Sequence, residues 1–250
     1  MKKQFVNLNK IICIAGLSMA LNGMTAFAGG LATDSGMSVS GSFDAYSSYV
    51  WRGFTLDEDA VIQPSVKCSY AGFTVSFWGS YDVENNDVFS SDEMDYVVDY
   101  TREFEKIRLS IGHTFYELPE VEAKSREFYL GMTLTQLLFS PNLTVYYDYG
   151  EEEDGGGDGY YVVLTLSHSV FLGEYVDLTF GGHYGYNNEL FISGKGQDVH
   201  LNTGLAIKLY DNCTLSPNID YAIPLGDLKD ENDGNQEKRF YFGFSLGYGF

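Results

Sequence analysis

The stretch RFYFGFSLGYGF, residues 239–250, decides the fold class. Phe240, Phe242, Phe244, Leu246 and Tyr248 occupy every second position, separated by Tyr, Gly and Ser. A period of two places these five side chains on one face of a β-strand. The pattern predicts a strand with one continuous apolar face, which an apolar medium has to cover.

The same alternation recurs along the chain and predicts about twelve strands. The segments are 37–45, 62–70, 73–81, 94–104, 107–115, 128–134, 143–149, 160–168, 176–186, 199–209, 215–223 and 240–250. Most are about ten residues long, which is the length a tilted strand needs to cross a bilayer. No segment after residue 36 has convincing helical periodicity, so the sequence predicts an all-β protein.

The connections between these segments alternate in length. Tight ones follow the even-numbered segments, and long, charged ones follow the odd-numbered segments. The tight connections are Ala71-Gly72, Glu105-Lys106, LFSPN, VFLGE and YDNC, and the long ones include DVENNDVFSSDE, ELPEVEAK, GEEEDGGGDG and LGDLKDENDGNQEK. This asymmetry predicts a transmembrane antiparallel up-and-down β-barrel over residues 37–250, because closure removes the sheet edges that lipid could not satisfy. A soluble β-sandwich shares the alternation but does not explain the loop asymmetry.

Residues 1–28 have the pattern of a cleaved secretory signal peptide. Lys2, Lys3 and Lys10 form a basic start, IICIAGLSMAL is a short apolar core, and Ala26-Phe27-Ala28 is a small-residue cleavage site. Residues 29–36 then form a short N-terminal segment before the barrel. We expect an exported protein in the outer membrane of a Gram-negative bacterium, with outer-membrane lipid around it.

Charge and composition exclude other classes. The formal net charge of −20 argues against nucleic acid as a partner. An aromatic content of 16% argues against a disordered chain. Cys68 and Cys213 fall on strands three steps apart around the predicted barrel, so we expect no disulfide between them.

Two motifs resemble known outer-membrane proteins. A final strand of alternating aromatics that ends on Phe250 is similar to the signal recognised by the outer-membrane assembly machinery, which implies that machinery as a partner. SSYVWRGF at 47–54 and VIQPSV at 61–66 resemble the TorF-type porin family. The residues that carry this second resemblance are Tyr49, Val50, Trp51, Arg52, Gly53, Gln63 and Pro64.

The alternation also assigns places to the residues of the first motif. Trp51 falls on the outward row near the top of the first strand, where an aromatic girdle would lie. Arg52 would face inward at the mouth, and Gly53 would free the chain to turn.

The inward row predicts a polar lumen. Its charged and large polar residues are Asp44, Tyr46, Lys67, Trp78, Asp82, Asp95, Asp99, Arg108, Glu127, Tyr129, Tyr146, Asp148, Asp177, His183, His200, Lys208 and Asp220. A lipid-facing row would carry a penalty of about 2 to 4 kcal/mol for each basic residue near the midplane. The excess of acids predicts a pore that prefers cations or neutral solutes. The alternative is a lumen plugged by its own ion pairs, with Lys67, Arg108 and Lys208 each meeting carboxylates.

Two groups of residues are candidates for cation binding, although the sequence implies no cofactor. His183 and His200, with Asp198 nearby, would stand opposite each other in the lumen if their strands pair, and two His with a carboxylate can bind zinc. An ordinary polar pair is the simpler interpretation. Glu151, Glu152, Glu153, Asp154 and Asp158 form an acidic loop that is either a solvated surface or a weak site for divalent cations.

These features predict a porin-like channel for passive diffusion of small hydrophilic solutes, and not an enzyme. A barrel hydrolase acting on lipid or peptide is the first alternative, but His113 has no Ser and acid pattern beside it, and His168 lies at a strand end. A structural or surface-recognition barrel is the second. The pattern leaves the solute and the oligomeric state open.

Overall fold

The computed structural model describes residues 36–84, 93–119, 122–150, 157–190, 192, 194–230 and 236–250. Fourteen strands form in these residues. They are β1 (Met37–Tyr46), β2 (Tyr49–Trp51), β3 (Phe54–Asp57), β4 (Val61–Tyr70), β5 (Phe73–Asp82), β6 (Glu93–Glu103), β7 (Ile107–Leu118), β8 (Ala123–Leu134), β9 (Asn142–Asp148), β10 (Tyr160–Gly173), β11 (Val176–Asn188), β12 (Lys195–Tyr210), β13 (Cys213–Gly226) and β14 (Arg239–Gly249).

Twelve of the described strands close into one antiparallel barrel. Each strand pairs with its neighbours in chain order, and β1 closes the ring by pairing with β14 on one side and β4 on the other. The remaining two, β2 and β3, pair only with each other and form a separate hairpin. The predicted twelve-stranded barrel is confirmed, and the hairpin is an addition to it.

The outer surface of the barrel is apolar. Phe240, Phe242, Phe244, Leu246 and Tyr248 of β14 are each at least 40% exposed, so the apolar face of the final strand points away from the barrel. Aliphatic and aromatic side chains on the outward rows of the other strands are exposed in the same way. A closed barrel with an apolar outer band is the form in which strands cross a membrane.

The two ends of the barrel differ as the loop lengths predicted. At the turn end, two residues separate β4 from β5, β10 from β11, and β12 from β13. The opposite end, which we name the loop end, carries the longest connections, at 47–60, 83–92, 149–159 and 227–238. The loop-end connections 119–122 and 189–194 are shorter than the turn-end connection 135–141, which departs from the predicted asymmetry. The register is continuous around the ring, so that Trp78 on β5 stands opposite Ser65 on β4 and Asp95 on β6. Inward residues therefore meet inward residues on both sides of each strand.

Two predictions concern residues outside the described part of the chain, and a third concerns the two cysteines of the barrel. The signal peptide at 1–28 and the acidic run Glu151–Asp154 lie outside the described part of the chain. Cys68 and Cys213 are free thiols on β4 and β13, with β1 and β14 between them, as the predicted topology required.

None of the helices in the described residues is long and apolar enough to span a membrane.

Candidate functional site

The β2–β3 hairpin lies inside the barrel and fills the loop end of the lumen. Tyr49, Val50, Trp51, Arg52 and Phe54 are each 5% exposed or less. The prediction that Trp51 belongs to an outward aromatic girdle is therefore wrong. The chain leaves the barrel wall after Tyr46, so the alternation of β1 no longer fixes the direction of the side chains that follow.

The hairpin turns tightly at Arg52 and Gly53. Both residues adopt left-handed backbone angles, with φ of 46° and 79°, as a two-residue hairpin turn requires, and Trp51 pairs with Phe54 across it. A Cβ on Gly53 would lie 2.5 Å from the Cβ of Asp198. The expectation that Gly53 lets the chain turn is confirmed, and its missing side chain also lets the hairpin approach β12.

Arg52 anchors the tip of the hairpin to the barrel wall. Its Nη1 and Nη2 donate to Oε1 and Oε2 of Glu127 on β8, both at 2.8 Å, and both side chains are fully buried. The Tyr116 hydroxyl donates to the same carboxylate at 2.8 Å. Burial lowers the pKa of Arg52. The charge of Glu127 and its hydrogen bonds to Arg52 raise the pKa by more than burial lowers it, so the pKa lies above its ordinary value. The guanidinium therefore stays charged.

Aromatic rings enclose the guanidinium. Its carbon lies 4.2 Å from the ring centroid of Trp51, and 4.5 Å from the centroids of Tyr146 and Tyr161. Cation–π contacts of this kind are worth about 2 kcal/mol or more when they are desolvated. Arg52 faces the lumen, as predicted, but it is fully enclosed there and does not stand at an open mouth.

Further contacts fix the base of the hairpin. The Tyr49 hydroxyl donates to Oε2 of Glu93 at 3.0 Å, and its ring packs on Trp78 at 5.7 Å. Burial, and then the charge of Glu93, raise the pKa of Tyr49 well above its usual value, so the hydroxyl keeps its proton as a donor. The backbone N–H of Thr55 donates to Oε1 of Gln236 at 3.0 Å. The hairpin is thus tied to β6 and to the connection before β14.

Apolar residues from two loop-end connections complete this packing. Leu190, Ile192 and Leu228 are 3% exposed or less and belong to the same buried cluster as Trp51 and Phe54. Leu228 lies on a short 3₁₀-helix, Asp227–Asp230. The loop half of the lumen is therefore a packed core.

The inward rows of β1, β4 and β5 carry small polar side chains. The Ser42 and Ser65 hydroxyls are 2.8 Å apart, and those of Ser69 and Thr74 are 2.9 Å apart. Asp44 accepts a hydrogen bond from Ser42 at 3.2 Å.

The ion pairs predicted to plug the lumen lie elsewhere. Arg108 pairs with Glu103 at 3.0 Å and Lys208 with Asp211 at 3.1 Å, and both basic side chains are about half exposed near the turn end. Lys67 lies close enough to Asp44 for their charges to interact. The loop end of the lumen is filled by the hairpin and not by these pairs.

By alternation along each strand, the predicted lumen residues share the row that faces away from the exposed apolar one, with Arg108 and Lys208 half exposed near the turn end. The set is Asp44, Tyr46, Lys67, Trp78, Asp82, Asp95, Asp99, Arg108, Glu127, Tyr129, Tyr146, Asp148, Asp177, His183, His200, Lys208 and Asp220. Those near the loop end, such as Trp78, Glu127 and Tyr146, contact the hairpin or Arg52. Their part in a solute pathway stays a prediction.

His183 and His200 stand opposite each other, as predicted, on β11 and β12. Their ring centroids are 5.1 Å apart, and Nε2 of His183 lies 2.6 Å from Oδ2 of Asp198. Asp198 also accepts from the Tyr161 hydroxyl at 2.8 Å. In the described part of the chain, no group of three or more His, Cys, Asp or Glu side chains is arranged to hold a metal ion.

The other two histidines lie on outward rows. His113 on β7 contacts the Tyr149 hydroxyl at 2.5 Å through Nε2. His168 on β10 packs between Phe139 and Phe180, at 5.4 and 5.5 Å between ring centroids.

Several buried residues around the hairpin were not predicted from the sequence. Glu93, Tyr116, Tyr161 and Tyr241 are all nearly fully buried in the lumen. The available signal was a run within the first long connection: Tyr49, Val50 and Trp51 are three consecutive apolar residues that do not alternate with polar ones. An apolar loop on a polar barrel end indicates a segment that folds inward.

Comparisons with known proteins describe the family and the fold. A family model described as "Bacterial protein of unknown function (Gcw_chp)" matches residues 31–217. No curated protein matches the chain.

Solved porins share the barrel. The chain is similar to the KdgM porin, with 12% identity, a TM-score of 0.54, and coverage of 85% of this chain and 99% of that one. It is similar to the NanC porin, with 9% identity, a TM-score of 0.52, and coverage of 85% and 98%. The KdgM porin in complex with disordered oligogalacturonate gives 11% identity, a TM-score of 0.53, and coverage of 85% and 99%. At such identities the likeness is one of fold.

Proposed function

Since the chain belongs to the Gcw_chp family of bacterial proteins of unknown function, we propose a function from its own lumen: an outer-membrane channel for small hydrophilic solutes, closed at the loop end by the β2–β3 hairpin. The observation that carries this proposal is that the hairpin belongs to no barrel sheet. It can leave the lumen without breaking any inter-strand hydrogen bond of the ring.

Three features support transport as the role of the barrel. The outer surface is apolar, while the inward rows of β1, β4 and β5 carry hydroxyls such as those of Ser42, Ser65 and Thr74. The fold is shared with proteins that are named porins. The motif at 47–54 resembles the TorF-type porin family, and here it forms the segment that fills the lumen.

The charge of the lumen favours cations or neutral solutes. Asp44 and Asp220 both lie close enough to Tyr46 for their charges to act on it, and the charge of Lys67 acts on Asp44. A ring of carboxylates attracts cations and repels anions. Oligogalacturonate, which one of the similar porins binds, is a polyanion, so we expect this lumen to take a different class of solute.

Single-channel recording in a planar bilayer tests the proposal, with the refolded wild type, Glu127→Gln and the control Glu103→Gln. Glu127→Gln removes the buried partner of Arg52, and Glu103→Gln removes the exposed partner of Arg108. We expect Glu127→Gln to raise the open probability severalfold over wild type, and Glu103→Gln to match wild type. Equal conductance in all three proteins would overturn the gating role of the hairpin. Silence in all three, with barrels that are folded by heat-modifiability on gels, would overturn the channel.

A further inference from the structure

A group of basic and aromatic side chains lies on the outer surface of the barrel at the loop end. Lys124 and Arg126 are exposed on the outward row of β8, two positions apart, which is about 7 Å along a strand. Arg126 stands opposite Phe115 on β7, and its carbonyl oxygen accepts from the backbone N–H of Tyr149 at 3.0 Å. We name these four residues, together with His113, the outer basic patch.

The arginine of the outer basic patch is supported by a ring and not by an acid. Its guanidinium carbon lies 5.7 Å from the ring centroid of Phe115. Arg52, Arg108 and Arg239 each form an ion pair with a glutamate, whereas no carboxylate among the described residues forms one with Arg126. A guanidinium carries five N–H donors in a planar fork. In the described part of the chain, the donors of Arg126 are therefore left for a ligand outside the barrel.

Aromatic side chains border Arg126 on the side away from Phe115. The ring of Tyr149 stacks on that of Phe128, with centroids 4.9 Å apart, and the Tyr149 hydroxyl lies 2.5 Å from Nε2 of His113. His113 is close enough to Arg126 for the charge of the guanidinium to act on it. The outer basic patch therefore combines positive charge with aromatic rings, which is the composition of a surface at a membrane interface.

The position of the outer basic patch in the barrel places it at headgroup level. Outer-membrane barrels have short turns on the periplasmic side and longer loops outside, so the loop end lies in the outer leaflet. Lys124 is the second residue of β8, while Leu130, which is 61% exposed, continues the same outward row toward the middle of the barrel. The chain as a whole carries a net charge of −20, so exposed basic residues here run against the overall charge. Lipid phosphates are anionic and complement them.

We propose that the outer basic patch binds one outer-leaflet lipid through a phosphate group of its headgroup, with Arg126 as the bidentate donor. Arginine pairs with phosphate through two parallel N–H···O bonds, which gives both affinity and orientation. Lys124 lies 3.2 Å from Glu117 but is half exposed, so it adds a second positive charge beside the phosphate. The stacked rings of Phe128 and Tyr149 offer an apolar surface to the lipid below its headgroup. The inference concerns the outer wall and does not depend on conductance through the lumen.

Native mass spectrometry of the refolded full-length protein in detergent tests the outer basic patch. The probes are lipid A, a glycolipid whose headgroup carries phosphate groups, and dephosphorylated lipid A. Arg126→Gln is compared with Arg102→Gln, because Arg102 also lies on an outward row, with its guanidinium carbon 5.6 Å from the ring centroid of Phe104, but at the turn end. We expect one bound lipid A per chain, a Kd raised about tenfold or more by Arg126→Gln, and an unchanged Kd for Arg102→Gln.

Arg126→Lys should have an intermediate affinity, because it keeps the charge and loses the fork of donors. The proposal is overturned if wild type and Arg126→Gln bind lipid A equally, if wild type binds dephosphorylated lipid A as tightly, or if Arg102→Gln weakens binding as much as Arg126→Gln does. Dimers that form without lipid and that Arg126→Gln abolishes would assign the patch to a contact between two copies of the chain, and would also overturn the proposal. Heat-modifiability on gels verifies that each variant is folded.

Discussion

Arg52 and Glu127 form a bidentate ion pair with both N···O distances at 2.8 Å and both side chains fully buried, although one residue belongs to a hairpin and the other to the barrel wall. A buried charge in this position is costly when it has no counter-charge. Removing one partner of a buried pair leaves the other without compensation, which costs more than the pair contributes. The pair therefore makes the stability of the folded barrel depend on the hairpin staying inside the lumen.

Glu127→Gln should destabilise the folded protein by about 3 to 5 kcal/mol, because it leaves the Arg52 charge buried without a counter-charge. The loss in free energy of unfolding is measured by urea unfolding of the refolded barrel, with tryptophan fluorescence as the signal. Trp51 and Trp78 both lie in the packed loop half, so the signal reports on the hairpin directly.

The control for this prediction is Glu103→Gln. Glu103 pairs with Arg108 at 3.0 Å, but the two side chains are 60% and 47% exposed. Exposed pairs contribute about 0 to 1 kcal/mol. An equal loss of stability in the two variants would contradict the role given to the buried pair.

Replacing both partners should lower the free energy of unfolding by less than the sum of the two single replacements. Arg52→Met with Glu127→Leu removes both charges and leaves apolar side chains among Trp51, Tyr146 and Tyr161. Apolar replacements of buried ion pairs are often neutral or stabilising. We expect a coupling free energy on the order of 1 to 3 kcal/mol in a double-mutant cycle. Additive effects of the two single changes would show that the partners do not depend on each other.

Gly53→Ala should displace the tip of the hairpin from its contacts with Asp198 and Leu228. The residue has φ of 79°, and an added Cβ would lie 2.5 Å from the Cβ of Asp198 and 2.9 Å from Cδ2 of Leu228. Gly36→Ala is the matched control, because Gly36 has φ of 73° with nothing within 4 Å of the added atom. The left-handed angle costs about 1 to 2 kcal/mol in both, so any larger loss at Gly53 measures the clash. Similar unfolding midpoints for the two variants would show that the tip tolerates the added methyl group.

The barrel was predictable from the sequence because each of its determinants is local. Alternation in stretches such as Phe240–Tyr248 assigns inward and outward rows, and connection lengths assign the two ends. The opposition of His183 and His200 followed from the same local rules, because a short connection fixes the register of β11 and β12.

The hairpin was not predictable in this way. Tyr49, Val50 and Trp51 are consecutive and all buried, so no period of two marks their faces. Their partners come from distant positions: Arg52 meets Glu127, and Tyr49 meets Glu93. The one local signal was the consecutive apolar run Tyr49–Trp51 inside a long connection, which is unusual for an exposed loop.

Ion selectivity should respond in opposite directions to two inward residues of opposite charge. Asp44 lies on β1 and Lys67 on β4, and their charges act on each other. In the background of Glu127→Gln, which we expect to conduct, Asp44→Asn should lower the preference for cations and Lys67→Gln should raise it. The reversal potential under a tenfold salt gradient measures both shifts. Ser65→Ala, which removes a neutral hydroxyl from the same inward row, serves as the control and should leave the potential unchanged. Shifts of the same sign for Asp44→Asn and Lys67→Gln would show that the carboxylates of the lumen do not select the ion.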